Sequence, residues 1–193
     1  MIHKLLQLIS ILSLGFAQNP IVQIVTDLDT IEIELYPKQA PITVANFLKY
    51  VDENRYRDFH FYRVVRVDNQ PNNDIKIEVI QGGLGFDTHP MELPPIHHET
   101  TNNTGIKHEN GTISMARLDP GTASSEIFIC IGNQPELDFG GKRNPDGQGF
   151  AAFGKVTSGM DIVKNIQMLP ESEQMLKKVV RVVSIKRESH GPK

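Results

Sequence analysis

TISMARLDPGTASSEIFICIG, Thr112 to Gly132, decides how this chain folds. Two short apolar runs, Ile113 to Ala116 and Ile127 to Ile131, flank a connection rich in Pro, Gly, Ser and Thr, the pattern of two strands and the loop between them. Ala116, Arg117 and Phe128 then offer a methyl, a charge and a ring close together. That combination suits the wall of a small pocket that takes an apolar group beside a polar one. On burial habits alone, a Phe in such a strand is more often plain core.

Outward from this pair, Asn110-Gly111 is a turn signal ahead of Thr112, and the loop Asn133 to Gln148 carries three Gly and two Pro with no periodicity. A loop of that length is usually functional or disordered. Besides the central two, principal strands are expected at Ile21–Thr26, Ile31–Leu35, Phe61–Val67, Ile75–Gln81, Phe150–Val156 and Val179–Ile185, with a short one at Pro95–His98. The period changes to that of a helix after Pro41, with Val44, Phe47, Leu48 and Val51 as its stripe and Asn54-Arg55 as its end. Ser158 is the expected cap of a second helix, with Ile162, Val163, Ile166 and Leu169 buried and Pro170 as its stop. The tail after Lys186 is expected to fray. Eight principal strands and two helices make a mainly β domain, and a closed antiparallel barrel capped by the helices leaves no exposed edges. The pattern alone does not separate such a barrel from an open sandwich.

With 193 residues, 39% hydrophobic content and net charge −3, the chain suits one soluble domain. Its 20 basic residues are scattered and outnumbered by 23 acidic ones, so the footprint of a nucleic-acid surface is missing. Residues 1–17 differ in kind. Lys4 precedes an apolar run, Leu5 to Phe16, followed by Ala17 with Gly15 two residues before it, so a secretory signal cleaved after Ala17 is expected, leaving 18–193 as a single exported domain. That run is too short and too often interrupted for a membrane span. The lone Cys130 lies in an apolar stretch and is expected to be a small buried hydrophobe. His97, His98, Glu99 and His108 are the only residues spaced like metal ligands, but neighbours on a strand point to opposite faces, so no shared metal ion is expected.

From Ser114 to Cys130 the text Ser-Met-Ala, Pro-Gly-Thr-Ala-Ser-Ser and Phe-Ile-Cys closely resembles the central segment of the cyclophilins, peptidyl-prolyl isomerases that usually carry SMA, PNTNGSQ and FFI. The likeness extends from about Ile21 to Ile185 and looks closest to bacterial secreted forms. It implies an eight-stranded barrel with two helices, acting on proline-containing peptides and folding proteins as a monomer, without a cofactor. Arg63, in Phe-Tyr-Arg-Val-Val, stands where the motif FHRVI carries its catalytic arginine, and Gln81 matches the glutamine of QGG. Phe128 and Leu137 match the floor of the proline pocket, Ala116 and Arg117 the backbone that meets the preceding residue, and Gly149-Phe150 the last pocket strand.

The chemistry asks for little more. An X-Pro bond faces a barrier of about 18 to 20 kcal/mol because resonance keeps the imide flat. Lowering it by roughly 5.5 to 7 kcal/mol brings rotation into milliseconds. A ring pocket, backbone anchors and an arginine facing the prolyl nitrogen suffice; no nucleophile, metal or cofactor is required.

Five positions depart from the pattern: Val79 replaces methionine, Glu78 phenylalanine, Glu126 glutamine, Glu136 tryptophan and Phe150 histidine, and an insertion lies between Arg66 and Ile77. Losing the tryptophan implies weak cyclosporin binding. With its amide donors gone, Glu126 leaves a substrate carbonyl unpaired, and the three carboxylates near Arg63 imply a preference for Lys or Arg beside the proline. Two other readings stay open on the residues alone: a relative that binds proline segments without turning them over, and a barrel that carries a small apolar ligand.

Overall fold

In Ile21–Thr26 (β1), Val22, Ile24 and Thr26 are buried while their neighbours are half exposed, and Ile31, Ile33 and Leu35 repeat the pattern in Thr30–Leu35 (β2). The two strands pair antiparallel with Val22 opposite Ile33 and Ile24 opposite Ile31, so branched side chains meet on one face. The computed structural model describes residues 18–85 and 88–188. The expected signal at 1–17 lies outside them.

Helix α1 (Pro41–Asp52) begins at the proline and buries Val44, Phe47, Leu48 and Val51. Its N-terminus is closed from a distance: the Glu99 carboxylate accepts from Ile42 N (3.2 Å), Thr43 N (2.8 Å) and Thr43 Oγ1 (2.7 Å). The strands β3 (His60–Val65) and β4 (Val79–Gly83), a four-residue helix α2 (Thr101–Thr104), and β5 (Thr112–Met115) and β6 (Ile127–Cys130) follow. The chain ends with β7 (Ala151–Ser158), α3 (Met160–Gln167), β8 (Glu171–Ser172) and β9 (Met175–Arg187).

Hydrogen-bonded neighbours run β1-β2-β7-β5-β6-β4-β3-β9, and β9 returns to β1 to close an eight-stranded antiparallel barrel; β8 adds a short hairpin to β9. The barrel, not the sandwich, is the fold. Its interior is filled by Ile24, Ile33, Phe61, Ile80, Ile113, Ile129 and Phe153, with α1 packed along β7 and β9, and α3 along β2, β3 and β4.

Several expectations are corrected. Pro95–His98 forms no ladder, and Ile96 N donates to Ala123 O in a loop. The strand expected over Phe61–Val67 stops at Val65, where Val67–Asn69 turns as a 3-10 helix, and the next strand starts at Val79, not Ile75. The last strand is longer than its alternating centre, running to Arg187, whose guanidinium pairs with Asp52. Gly159, not Ser158, precedes α3, at φ 89°, where a Cβ would lie 2.6 Å from Thr30 O. A third helix, α2, was not expected.

Period-two alternation on β4 and β6 places the site. Ile80, Ile127 and Ile129 point into the barrel, leaving Val79, Gln81, Phe128 and Cys130 on the outer face. Arg63 lies opposite Gln81, Gln81 opposite Phe128, and Phe128 opposite Ser114, one row across β3, β4, β6 and β5. A bulge between Phe61 and Arg63 sets Tyr62 and Arg63 side by side while Phe61 and Val64 stay in the core.

Candidate active site

On this outer row a pocket of about 260 Å³ opens, floored by Val79, Phe128 and Leu137 and edged by Arg63, Gln81, Ala116 and Phe150. Its apolar floor is a second buried cluster, Val65, Ile77, Val79, Phe128, Cys130 and Leu137, with Ala116 and Phe150 against it. The Phe128 and Phe150 rings meet edge to face at 5.3 Å. Ile77 lines the pocket and Glu78 does not, so the insertion shifts the wall by one residue and an aliphatic side chain takes the place assigned to Glu78. Cys130 is buried in this floor, which pushes its thiol pKa well up, as expected of a structural cysteine.

Two amides hold the Arg63 guanidinium. Nη1 donates to Gln81 Oε1 (2.8 Å), while Nε and Nη2 both donate to Gln174 Oε1 (3.1 and 2.6 Å). Burial lowers the pKa of Arg63 from its very high ordinary value. Gln174 is itself anchored: its Nε2 donates to Asn69 O (3.0 Å), its N to Glu171 Oε2 (2.7 Å), and its carbonyl accepts from Val64 N (2.8 Å). Sequence reasoning missed it. Glu173 and Gln174 form the β8–β9 turn with φ of 52° and 72°, and neither carries the Asn-Gly spelling that announces such turns.

Beyond Gln81 the chain of hydrogen bonds continues. Gln81 Nε2 donates to Tyr62 Oη (2.9 Å), and Tyr62 Oη donates to Glu126 Oε2 (2.5 Å). A carboxylate only accepts, so Glu126 fixes the sense of every bond back to the guanidinium. Burial, then the charge of Glu126, pushes the Tyr62 pKa well up and keeps its proton in place. The other oxygen, Oε1, accepts from Gly85 N (3.0 Å) and Ser125 Oγ (3.1 Å), and the carboxylate lies where a Cβ on Gly83 would be. Glu126 is therefore not among the residues that line the pocket, and its carboxylate connects to Gln81 through Tyr62. Glu136 is likewise turned away, accepting from Lys142 N (2.8 Å). The expected cluster of carboxylates around Arg63 is not formed.

On the opposite rim, Ala116 N donates to Glu126 O (2.8 Å), whereas Arg117 N–H makes no hydrogen bond among the described residues. The Arg117 side chain pairs with Asp146 (2.7 Å), donates from Nε to Gly149 O (2.9 Å) and lies 5.1 Å over the Phe150 ring. Phe150, where histidine is usual, is thus clamped between a cation and Phe128.

His98, Glu99 and His108 have separate partners. His97 is exposed, His98 Nε2 faces Gln148 O (3.2 Å), and Glu99 caps α1. His108 lies beneath Phe128, rings stacked at 5.8 Å, with Nδ1 on Asp138 Oδ1 (2.8 Å) and Nε2 on Ser114 Oγ (3.0 Å). An Asp–His–Ser chain suggests a nucleophile, but Ser114 and the His108 side chain are fully buried and out of reach of any substrate.

A sequence model described as cyclophilin type peptidyl-prolyl cis-trans isomerase matches residues 21–187. The chain belongs to the cyclophilin family. It is 36% identical over 180 residues to a peptidyl-prolyl cis-trans isomerase of Acinetobacter baylyi, covering 89% of this chain and 87% of that protein. It is 35% identical over 141 residues to peptidyl-prolyl cis-trans isomerase B of Escherichia coli, covering 71% and 77%. The crystal structure of a cyclophilin type isomerase from Cryptosporidium parvum superposes with a TM-score of 0.69 at 20% identity, over 90% of this chain and 99% of that one.

This cyclophilin should lose stability in mild acid. Burial lowers the His108 pKa despite the opposing hydrogen bond of Asp138, and burial lowers that of His98. The unfolded chain then binds more protons than the folded one once pH falls below about 6.5. Stability is full above that pH and declines as pH drops through the folded values. Burial raises the Asp138 pKa but its bonds from His108 lower it further, so its contribution is lost only below the ordinary carboxylate range. A melting temperature that stays flat between about pH 7.5 and 5.5 would contradict this account.

Proposed function

We propose that this cyclophilin accelerates X-Pro rotation in exported proteins and so assists their folding, acting as a monomer after loss of residues 1–17 and with Arg63 as its catalytic residue. The observation that carries the reading is the Arg63 guanidinium, held by Gln81 and Gln174 at the edge of a pocket floored by Phe128. The prolyl ring enters the apolar floor, and the Arg117 N–H at the rim, which makes no hydrogen bond among the described residues, anchors the preceding residue. As the imide twists, resonance is lost and the nitrogen regains its lone pair, which a remaining Arg63 N–H meets. A flat imide has no such lone pair to offer, so the contact strengthens only in the transition state. Gln81 and Gln174 hold the donor in place beforehand, so little reorganisation is needed.

Refolding of an exported protein limited by a proline isomerisation tests the folding role. Substoichiometric amounts should collapse the slow phase of tens of seconds, and cell fractions should hold the chain outside the cytoplasm without residues 1–17. An unchanged slow phase, or a full-length cytoplasmic chain, would sink the proposal.

A further inference from the structure

The proline pocket carries more positive charge than isomerisation asks for. Among the described residues Arg63, Arg117 and Arg143 all line it, and no carboxylate does. Arg117 is neutralised by Asp146, but among the described residues neither Arg63 nor Arg143 forms an ion pair. Arg143 comes from the long 133–148 loop. Its Nη1 donates both hydrogens to the inserted segment, to Gln70 Oε1 (2.8 Å) and Ile75 O (2.6 Å). These acceptors are neutral, so the side chain is fixed while its charge is not cancelled. Nε and Nη2 make no hydrogen bond among the described residues, and they form the edge that meets a carboxylate with two parallel bonds.

Arg143 also borders an adjoining cleft of about 760 Å³ that holds Asp68, Glu171 and Glu173. Asp68 and Glu171 share Arg66, at 3.1 Å each, and Glu173 is exposed to solvent. The cleft therefore opposes the guanidinium weakly, and burial together with the charge of Arg63 lowers the Arg143 pKa, as expected beside a second cation.

We propose that Arg143 determines substrate specificity by taking the side-chain carboxylate of an Asp or Glu that flanks the isomerised proline, with the 67–76 insertion as its bracket. The proposal rests on the isomerase reading above. It reverses the preference for basic residues expected from sequence, because the carboxylates behind that expectation, Glu78, Glu126 and Glu136, do not line the pocket.

The test compares kcat/KM at low salt for matched peptides with Glu, Ala or Lys on either side of the proline, using wild type, Arg143→Gln and Arg143→Lys. Wild type should prefer Glu over Ala by about fivefold or more at one of the two positions, with Lys poorest, and the preference should shrink as salt rises. In Arg143→Gln the Glu-to-Ala ratio should fall to about one, and Arg143→Lys should keep only part of it, having charge without the fork. Ratios taken within each variant cancel any general loss of activity or of folded protein. A wild-type ratio of one at both positions, or a preference that survives Arg143→Gln, overturns the proposal alone. Failure of wild type to turn over the Ala peptide overturns the isomerase reading as well.

Discussion

Replacing Arg63 by alanine should lower kcat/KM for a proline peptide by about 10² to 10³, the usual loss when one preorganised donor to a transition state is removed. A protease-free assay reads this directly. The fold should survive, because Arg63 is half-buried on the outer face and the β3 ladder is made by backbone groups. Arg63→Lys should be nearly as poor. A lysine brings the charge but not a fork that both Gln81 and Gln174 can hold. For the same reason Gln174→Ala should lower kcat by about tenfold with little change in KM, since the pocket floor remains while the guanidinium gains freedom. A loss confined to KM would show that Gln174 only shapes the pocket.

Phe128→Ala should cost about 3 to 5 kcal/mol of stability, measured by denaturant unfolding. Phe128 is 4% exposed, stacks on His108, meets Phe150 edge to face, and packs with Val79 and Leu137. Removing the ring leaves a cavity that these neighbours cannot close, because His108 is pinned by Asp138 and Ser114. Activity should fall too, through a higher KM, as the ring pocket loses its floor. A cost below about 1 kcal/mol would mean that the floor collapses freely and that Phe128 is not its keystone.

Most strands and the two longer helices were legible because alternation and 3.6-residue periodicity are properties of the sequence itself, whereas closure into a barrel was implied by the resemblance and not by the pattern. Val22, Ile24, Ile31 and Ile33 announce β1 and β2, and Pro41 with Val44 and Phe47 announces α1. Arg63, Gln81 and Phe128 come together because they sit on strands whose register the core fixes, and Leu137 joins them from a 3-10 turn, Pro135–Leu137. What escaped lies where the chain is irregular. The bulge that pairs Tyr62 with Arg63 leaves no mark in hydrophobic pattern, and without it the carboxylate of Glu126 reads as a pocket residue and not as the end of a hydrogen-bond chain. Gln174 is unreadable because its importance arises from a turn of unusual spelling, more than a hundred residues from the arginine it holds. The insertion could be seen but not interpreted, since Gln70 and Ile75 act on Arg143, which belongs to a different loop.

In the pocket beside Arg63 a twisted imide should be bound more tightly than a flat one. Exchange spectroscopy by NMR, on a proline peptide with a catalytic amount of the folded wild-type chain, tests it most directly. The cis and trans proline signals should interconvert orders of magnitude faster than the tens to hundreds of seconds needed unaided, at a rate that rises in proportion to the amount of protein. Interconversion no faster than in buffer, from a protein whose own spectrum shows it folded, would contradict it.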